Sequence, residues 1–209
     1  MNTPKSAADA SASPSALLPI FPLQTVLFPD GVLPLRIFEA RYMDMVTRCL
    51  REDSVFGVNL IAEGLEVGLP AIPHSIGVSA RITACDMAQP GVLQVMTRGG
   101  RRYRIHRTET GENGLLLGEV EWLPELVEHP LDGEYSTLVA LLAAIIEDVG
   151  PTHFPTPHRL DEAGWVGMRL ASVLPLELST RQSLLELDDP LLRLDALRDY
   201  LAAQGLGAA

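Results

Sequence analysis

Leu18-Pro19-Ile20-Phe21-Pro22-Leu23, Val26-Leu27-Phe28-Pro29-Asp30-Gly31 and Val32-Leu33-Pro34-Leu35-Arg36-Ile37 follow one another almost without interruption. These segments are rich in the branched and aromatic residues that favour strands, yet prolines break them every few positions. A proline has no amide proton to give to a ladder, so such strands belong at an edge or a bulge. Leu17 to Val26 therefore reads as a first strand, Pro29-Asp30-Gly31 as a turn and Val32 to Ile37 as a second strand. Apolar spacing then changes. Over Glu39 to Leu50, Tyr42, Met45, Val46 and Leu50 fall on one helical stripe, with arginine and aspartate opposite.

Downstream of this helix the strand pattern returns. Val55 to Ala62, Ser75 to Asp86, Leu93 to Arg98, Arg102 to Glu109 and Leu115 to Trp122 are apolar runs separated by turn residues. Gly99-Gly100 and Glu112-Asn113-Gly114 are expected to supply the positive φ angles of tight hairpins. In Tyr103-Arg104-Ile105-His106 polar and apolar residues alternate, which points Tyr103 inward. The texture shifts between Pro124 and Pro130, after which helical spacing prevails. Gly133 to Val149 is the longest helix, and Gly150-Pro151 ends it. Arg159 to Val173 is the next. Ser179 with Gln182 has the form of a capping box for a short third helix. Asp189-Pro190 opens the last one, with Leu191, Leu194, Leu197 and Leu201 as its buried stripe. No internal repeat is present. This order predicts an α+β protein: a tail over residues 1–16, a β-rich part over 17–124 and a helical part of about four helices over 125–209.

Composition narrows the function. Hydrophobic residues make up 47% but aromatics only 5%, so the core must be mainly aliphatic. A net charge of −11 repels nucleic acid and anionic membranes at long range. Cys49 and Cys85 lie in different predicted elements without C-x-x-C spacing, which fits a reducing cytoplasm. Cys49 sits beside the helix stripe and is expected in the core. The first 15 residues hold one lysine, Lys5, and no apolar stretch resembling a signal-peptide core. The longest apolar run, Leu138 to Ile146, is too short to span a bilayer.

Three segments, in order, resemble the Lon N-terminal (substrate-binding) domain family. The first is the opening stretch, extended through Ile37-Phe38-Glu39 and Arg41-Tyr42. The second joins Ile76-Gly77-Val78, Ala80 and Ile82 to Gly100-Arg101-Arg102-Tyr103-Arg104-Ile105. The third is Leu174-Pro175-Leu176 with Arg181-Gln182-Ser183-Leu184-Leu185-Glu186. Together they cover nearly everything from Leu17 to Leu201. The resemblance implies a PUA-like β pseudo-barrel with one embedded helix, followed by a helical bundle. It also implies a role in gathering protein substrates for proteolysis. Some family members bind small ligands through a separate zinc domain, but two cysteines cannot form the required quartet.

The enzymatic chemistry of Lon proteases needs lysines. A phosphate-binding loop requires one in G-x-x-x-x-G-K-[ST], and the peptidase dyad pairs one with serine. Lys5 is the only lysine in the sequence. Ser172 or Ser183 with His153 or His158 lacks a nucleophile elbow. His153, His158, Asp161 and Glu162 match no common metal-ligand spacing. No catalytic residue, cofactor or metal is therefore expected. The expected partner is an unfolded polypeptide or another protein, bound in a shallow groove between the two parts. Leu33, Leu35 and Tyr42 are expected to line it, with Arg101 and Arg107 at its flank. The cluster Arg98, Arg101, Arg102, Arg104 and Arg107 supports a second reading, RNA binding by a PUA-like module.

Overall fold

The computed structural model describes residues 17–68, 71–125 and 129–205. The tail expected over residues 1–16 lies outside them. The chain is mixed α/β, with its strands before its long helices and one helix among the strands. β1 (Leu17–Leu23) pairs antiparallel with β7 (Leu116–Trp122) over Leu17 to Ile20 and parallel with β3 (Phe56–Glu63) over Ile20 to Leu23. β3 continues to β5 (Ile76–Gln89), β5 to β6 (Val92–Thr110), and β6 back to β7. The pairings thus return to β1. Each half of β1 has a neighbour on one side only, so Pro19 and Pro22 fit within a strand that lies between two others. β2 (Val32–Ile37) pairs with the first half of β6, and the short β4 (Ile72–Pro73) with β3.

The pair expected to form a hairpin, Gly99-Gly100, lies inside β6, and neither glycine has a positive φ. The physical reason is close approach. A Cβ on Gly99 would sit 2.1 Å from the Phe28 carbonyl oxygen, and one on Gly100 2.7 Å from Ser79 Oγ. The other expected turn forms at Gly114, where φ is +80° and Gly111 donates to Leu115 O, and β5 turns into β6 at Gly91, where φ is +79°. Tyr103 points inward as expected. It is fully buried and its hydroxyl donates to Asn59 Oδ1 at 2.5 Å. Burial pushes its pKa well above the usual value, so the phenol keeps its proton.

α1 (Ala40–Glu52) buries Tyr42, Met45, Val46 and Cys49, while Leu50 is half exposed. Cys49 therefore takes the stripe position expected of Leu50, one turn after Met45 and Val46. After a 3-10 turn (Gly133–Tyr135) come α2 (Ser136–Val149), α3 (Ala163–Val173), α4 (Leu178–Glu186) and α5 (Pro190–Ala203). α3 is buried along most of its length and packs against α2, α4 and α5. It starts later than Arg159 because the preceding backbone is engaged elsewhere: Leu131 donates to Asp161 and Ala163 to His129. Asp189 caps α5 as expected, accepting from the amides of Leu191 and Leu192. The capping box does not form. Glu177 is the N-cap of α4, Ser179 lies within the helix, and the Gln182 amide donates to Ile76 O and Glu186 instead. One buried cluster runs from Phe21, Tyr42 and Phe56 to Trp165, Leu194 and Leu201, so strands and helices share a core.

Two buried arginines meet at the end of α4, one from β6 and one from α5. α4 ends without a glycine, leaving its last carbonyls without helical partners. Arg102 from β6 donates to Leu185 O at 2.9 Å and to Leu187 O at 3.2 Å, and pairs with Asp188 at 2.6 Å. Arg193 from α5 donates to Leu184 O at 2.9 Å and also to Leu187 O. Burial, reinforced by Arg102 nearby, pulls the Arg193 pKa down to about 10. It is still a cation at neutral pH, placed at the negative end of the α4 dipole.

Candidate functional site

Leu33, Leu35 and Tyr42 line one hollow of about 250 Å³. β2 forms one wall. Phe21 and Leu23 of β1, Tyr42 of α1, and Glu66 and Val67 after β3 form the rest. Phe21 stacks on Tyr42 with ring centroids 4.0 Å apart, which makes the floor rigid and apolar. Leu33 and Leu35 are half buried, and Phe38 and Val67 stand exposed at the rim. The charged lining residues differ in their engagement. Glu39 pairs with Arg41 at 2.7 Å, and Glu66 accepts the Gln24 amide. Arg36 is exposed, and no described residue forms an ion pair with it. Burial raises the Tyr42 pKa, with Arg41 acting in the opposite sense and Glu39 and Glu66 adding to it. The hollow suits apolar side chains; Thr25 and Tyr42 are the hydroxyl-bearing residues in its lining.

A second, larger cleft of about 380 Å³ lies where the strands meet the helices. Its walls include Gly99, Arg101 and Leu123 on one side and Arg159, Trp165 and Met168 on the other. The expected single groove between the parts is therefore two hollows, and Leu33, Leu35 and Tyr42 border the one built from the first part. At the cleft's edge Asp30 has a left-handed φ of 61°, which aspartate tolerates. Its carboxylate binds Arg98 at 3.0 Å and Arg159 at 2.5 Å. Arg169, almost wholly buried, donates to the Pro29 carbonyl. Burial brings the Arg169 pKa to about 10; Asp30 opposes this, and Arg98 and Arg159 add to it. Together these arginines join the 28–31 turn to β6 through Arg98, to the segment before α3 through Arg159, and to α3 through Arg169.

Arg101 lines the cleft, donates to Leu123 O at 3.2 Å and lies 5.6 Å from the Trp122 ring centroid. Arg107 lines neither hollow. It is exposed on β6 opposite Glu119. Arg104 and His106 both approach Glu121, at 3.9 and 3.1 Å. The arginine-rich stretch is thus largely paired within the chain. His158 contacts the Phe154 carbonyl at 2.9 Å and packs near Trp165, and the described residues contain no metal-binding group of histidine, cysteine or carboxylates. Cys49 is buried, which raises its thiol pKa, and no described helix is long and apolar enough to cross a membrane.

Sequence reasoning missed Phe38, Glu66 and Val67. The last two lie in Gly64-Leu65-Glu66-Val67-Gly68, where an apolar pair between glycines is a signal of exposed contact residues. It also missed Trp122 as the aromatic beside Arg101, because the strand pattern gave its position but not its exposure.

The strands, the helices packed on them and the two hollows make up a mixed α/β fold. The chain belongs to the family described as the ATP-dependent protease La (LON) substrate-binding domain, whose profile matches residues 17–203. A Lon N-terminal domain protein from Xanthomonas campestris has a crystal structure similar to this one. Its TM-score is 0.73 and its identity 40%, and the match covers 87% of this chain and 96% of that one. The N-terminal domain of the Mycobacterium avium complex Lon protease shares the fold, with a TM-score of 0.62 and 20% identity over 90% of this chain and 98% of that one. The Lon protease of Cytophaga hutchinsonii is 25% identical over 187 residues; the match covers 83% of this chain but only 22% of that protease.

Proposed function

We propose that this chain recognises polypeptides, in connection with Lon-type proteolysis, and does so without catalysis of its own. The observation that carries this reading is the apolar hollow floored by Phe21 and Tyr42, walled by Leu33 and Leu35, and rimmed by exposed Phe38 and Val67. Membership of a substrate-binding family supports it. Within these 209 residues the single lysine, Lys5, supplies neither a phosphate-binding loop nor a dyad. The strands that close on β1 are read as the PUA-like pseudo-barrel, and α2 to α5 as the bundle that supports it.

The test is a titration with a permanently unfolded, reduced and alkylated model polypeptide. Leu33→Asp, once shown to be folded, is expected to lose about 1–3 kcal/mol of binding, as for a leucine side chain denied burial. The double change Arg101→Glu, Arg107→Glu should bind nearly as the parent does, and salt should have little effect. RNA binding is the second reading, favoured by the exposed Trp122 beside Arg101 and opposed by the paired glutamates. It gains if only the arginine variant loses affinity and binding falls steeply with salt.

A further inference from the structure

The bonding of β2 states how an extended chain fits the hollow. In an antiparallel pair, residues alternate between bonding to the partner and facing away from it. Gly99 donates to Gly31 O at 2.8 Å while Gly99 O takes the Asp30 amide, so a single ladder bond joins Gly31 to Gly99 and sets the phase of the strands beyond it. The register then makes Leu33↔Thr97, Leu35↔Val95 and Ile37↔Leu93 the bonded pairs of the ladder. Val32, Pro34 and Arg36 consequently turn their backbone groups to the other edge. Among the described residues β2 pairs with β6 alone, and none accepts a hydrogen bond from the Val32 or Arg36 amide. Pro34 sits where its missing amide costs no ladder bond.

The residues of the hollow run consecutively along this edge, from Leu33 to Glu39. A slot bounded by one strand edge and by β1 and Val67 opposite is the shape of a missing strand. We infer that the hollow takes an extended polypeptide segment by strand addition to β2, with an acidic side chain of that segment meeting Arg36. The occupant's chemistry follows from the lining. Apolar side chains face Leu33, Leu35 and Phe21. Glu39 pairs with Arg41 and Glu66 is held by the Gln24 amide, whereas no described residue binds the Arg36 guanidinium, which is free to meet a counter-charge. A second copy of this chain fits less well, because a symmetric β2 pair centred on Pro34 lacks both central donors. This inference rests on the polypeptide-recognition reading and specifies its geometry.

The experiment uses the full chain and a terminally blocked nonapeptide of alternating leucine and threonine with a central glutamate. Two further peptides carry N-methyl groups on alternate residues, one along each edge, and a fourth has lysine in place of glutamate. Strand addition is expected to show in several ways. Methylation of one edge alone weakens binding by roughly tenfold or more, since it removes more than one hydrogen bond to the edge. Exchange of the Val32 and Arg36 amides slows on binding. Arg36→Glu reverses the preference between the glutamate and lysine peptides. Equal binding of both methylated peptides, with Val32 and Arg36 exchange unchanged, overturns the inference and leaves polypeptide recognition standing. So does failure of the nonapeptide on protein that binds the unfolded polypeptide. Amides already protected in the free protein, in proportion to its concentration, identify a second copy as the occupant and also overturn it. Absence of binding to every peptide and to the unfolded polypeptide removes both readings.

Discussion

Arg193→Ala is expected to lower the free energy of unfolding by about 3–5 kcal/mol, as for losing two buried hydrogen bonds from a charged donor. The side chain is fully buried and donates to the Leu184 and Leu187 carbonyls, which have no other described donor from the helix. Removing it strands the Leu184 carbonyl, leaves Leu187 O to Arg102 alone, and empties the space beside Gly167, where its methylenes pack. Arg193→Met keeps most of the packing but not the donors, so it should lie between the parent and the alanine variant. Urea unfolding at constant m-value measures both. A loss below about 1 kcal/mol for the alanine variant, the scale of a surface ion pair, means that the guanidinium is not holding α4 to α5.

Gly99→Ala is the second large effect. The added carbon would stand 2.1 Å from the Phe28 carbonyl oxygen, a backbone atom that cannot rotate away. Asp30 donates to Gly99 O and Gly99 donates to Gly31 O, both at 2.8 Å, so the turn is bonded to β6 at this point. Displacing it also disturbs the contacts of Asp30 with Arg98 and Arg159 and of Pro29 with Arg169. The expected loss is about 3 kcal/mol, the upper end for overpacking. Gly100→Ala is the internal comparison. Its carbon meets only Ser79 Oγ, which can turn aside, so about 1 kcal/mol is expected. Equal losses at the two positions would show that Gly99 is not the contact point.

Local signals were read well wherever one residue type does one job. The limits of β2 are those the proline-broken apolar pattern gives, and Asp189-Pro190 opens α5 because cap and proline act within a single turn. The failures share a cause. Gly99-Gly100 has the composition of a turn, but Gly99 answers to Phe28 and Gly100 to Ser79, both distant in the chain. Ser179 and Gln182 have capping-box spacing, yet the β5 carbonyl of Ile76 competes for the glutamine. Arg193 lies among leucines and would be placed on a solvated face, since arginine is rarely buried without partners. Its partners are carbonyls, which no sequence pattern displays. The candidate residues Leu33, Leu35 and Tyr42 come together because adjacent β2 and α1 carry them, whereas Phe21, Glu66 and Val67 join only through the pairing of β1 with β3.

The most direct test of polypeptide recognition is an NMR titration of the labelled protein with the unfolded polypeptide, following every assigned backbone amide and methyl group. The account predicts saturable shifts concentrated at Leu23, Leu33, Leu35, Phe38 and Val67, with Arg101, Arg104 and Arg107 nearly unmoved. Shifts confined to the β6 arginines and Trp122, or to the cleft beside Trp165, with β2 unchanged, would contradict it.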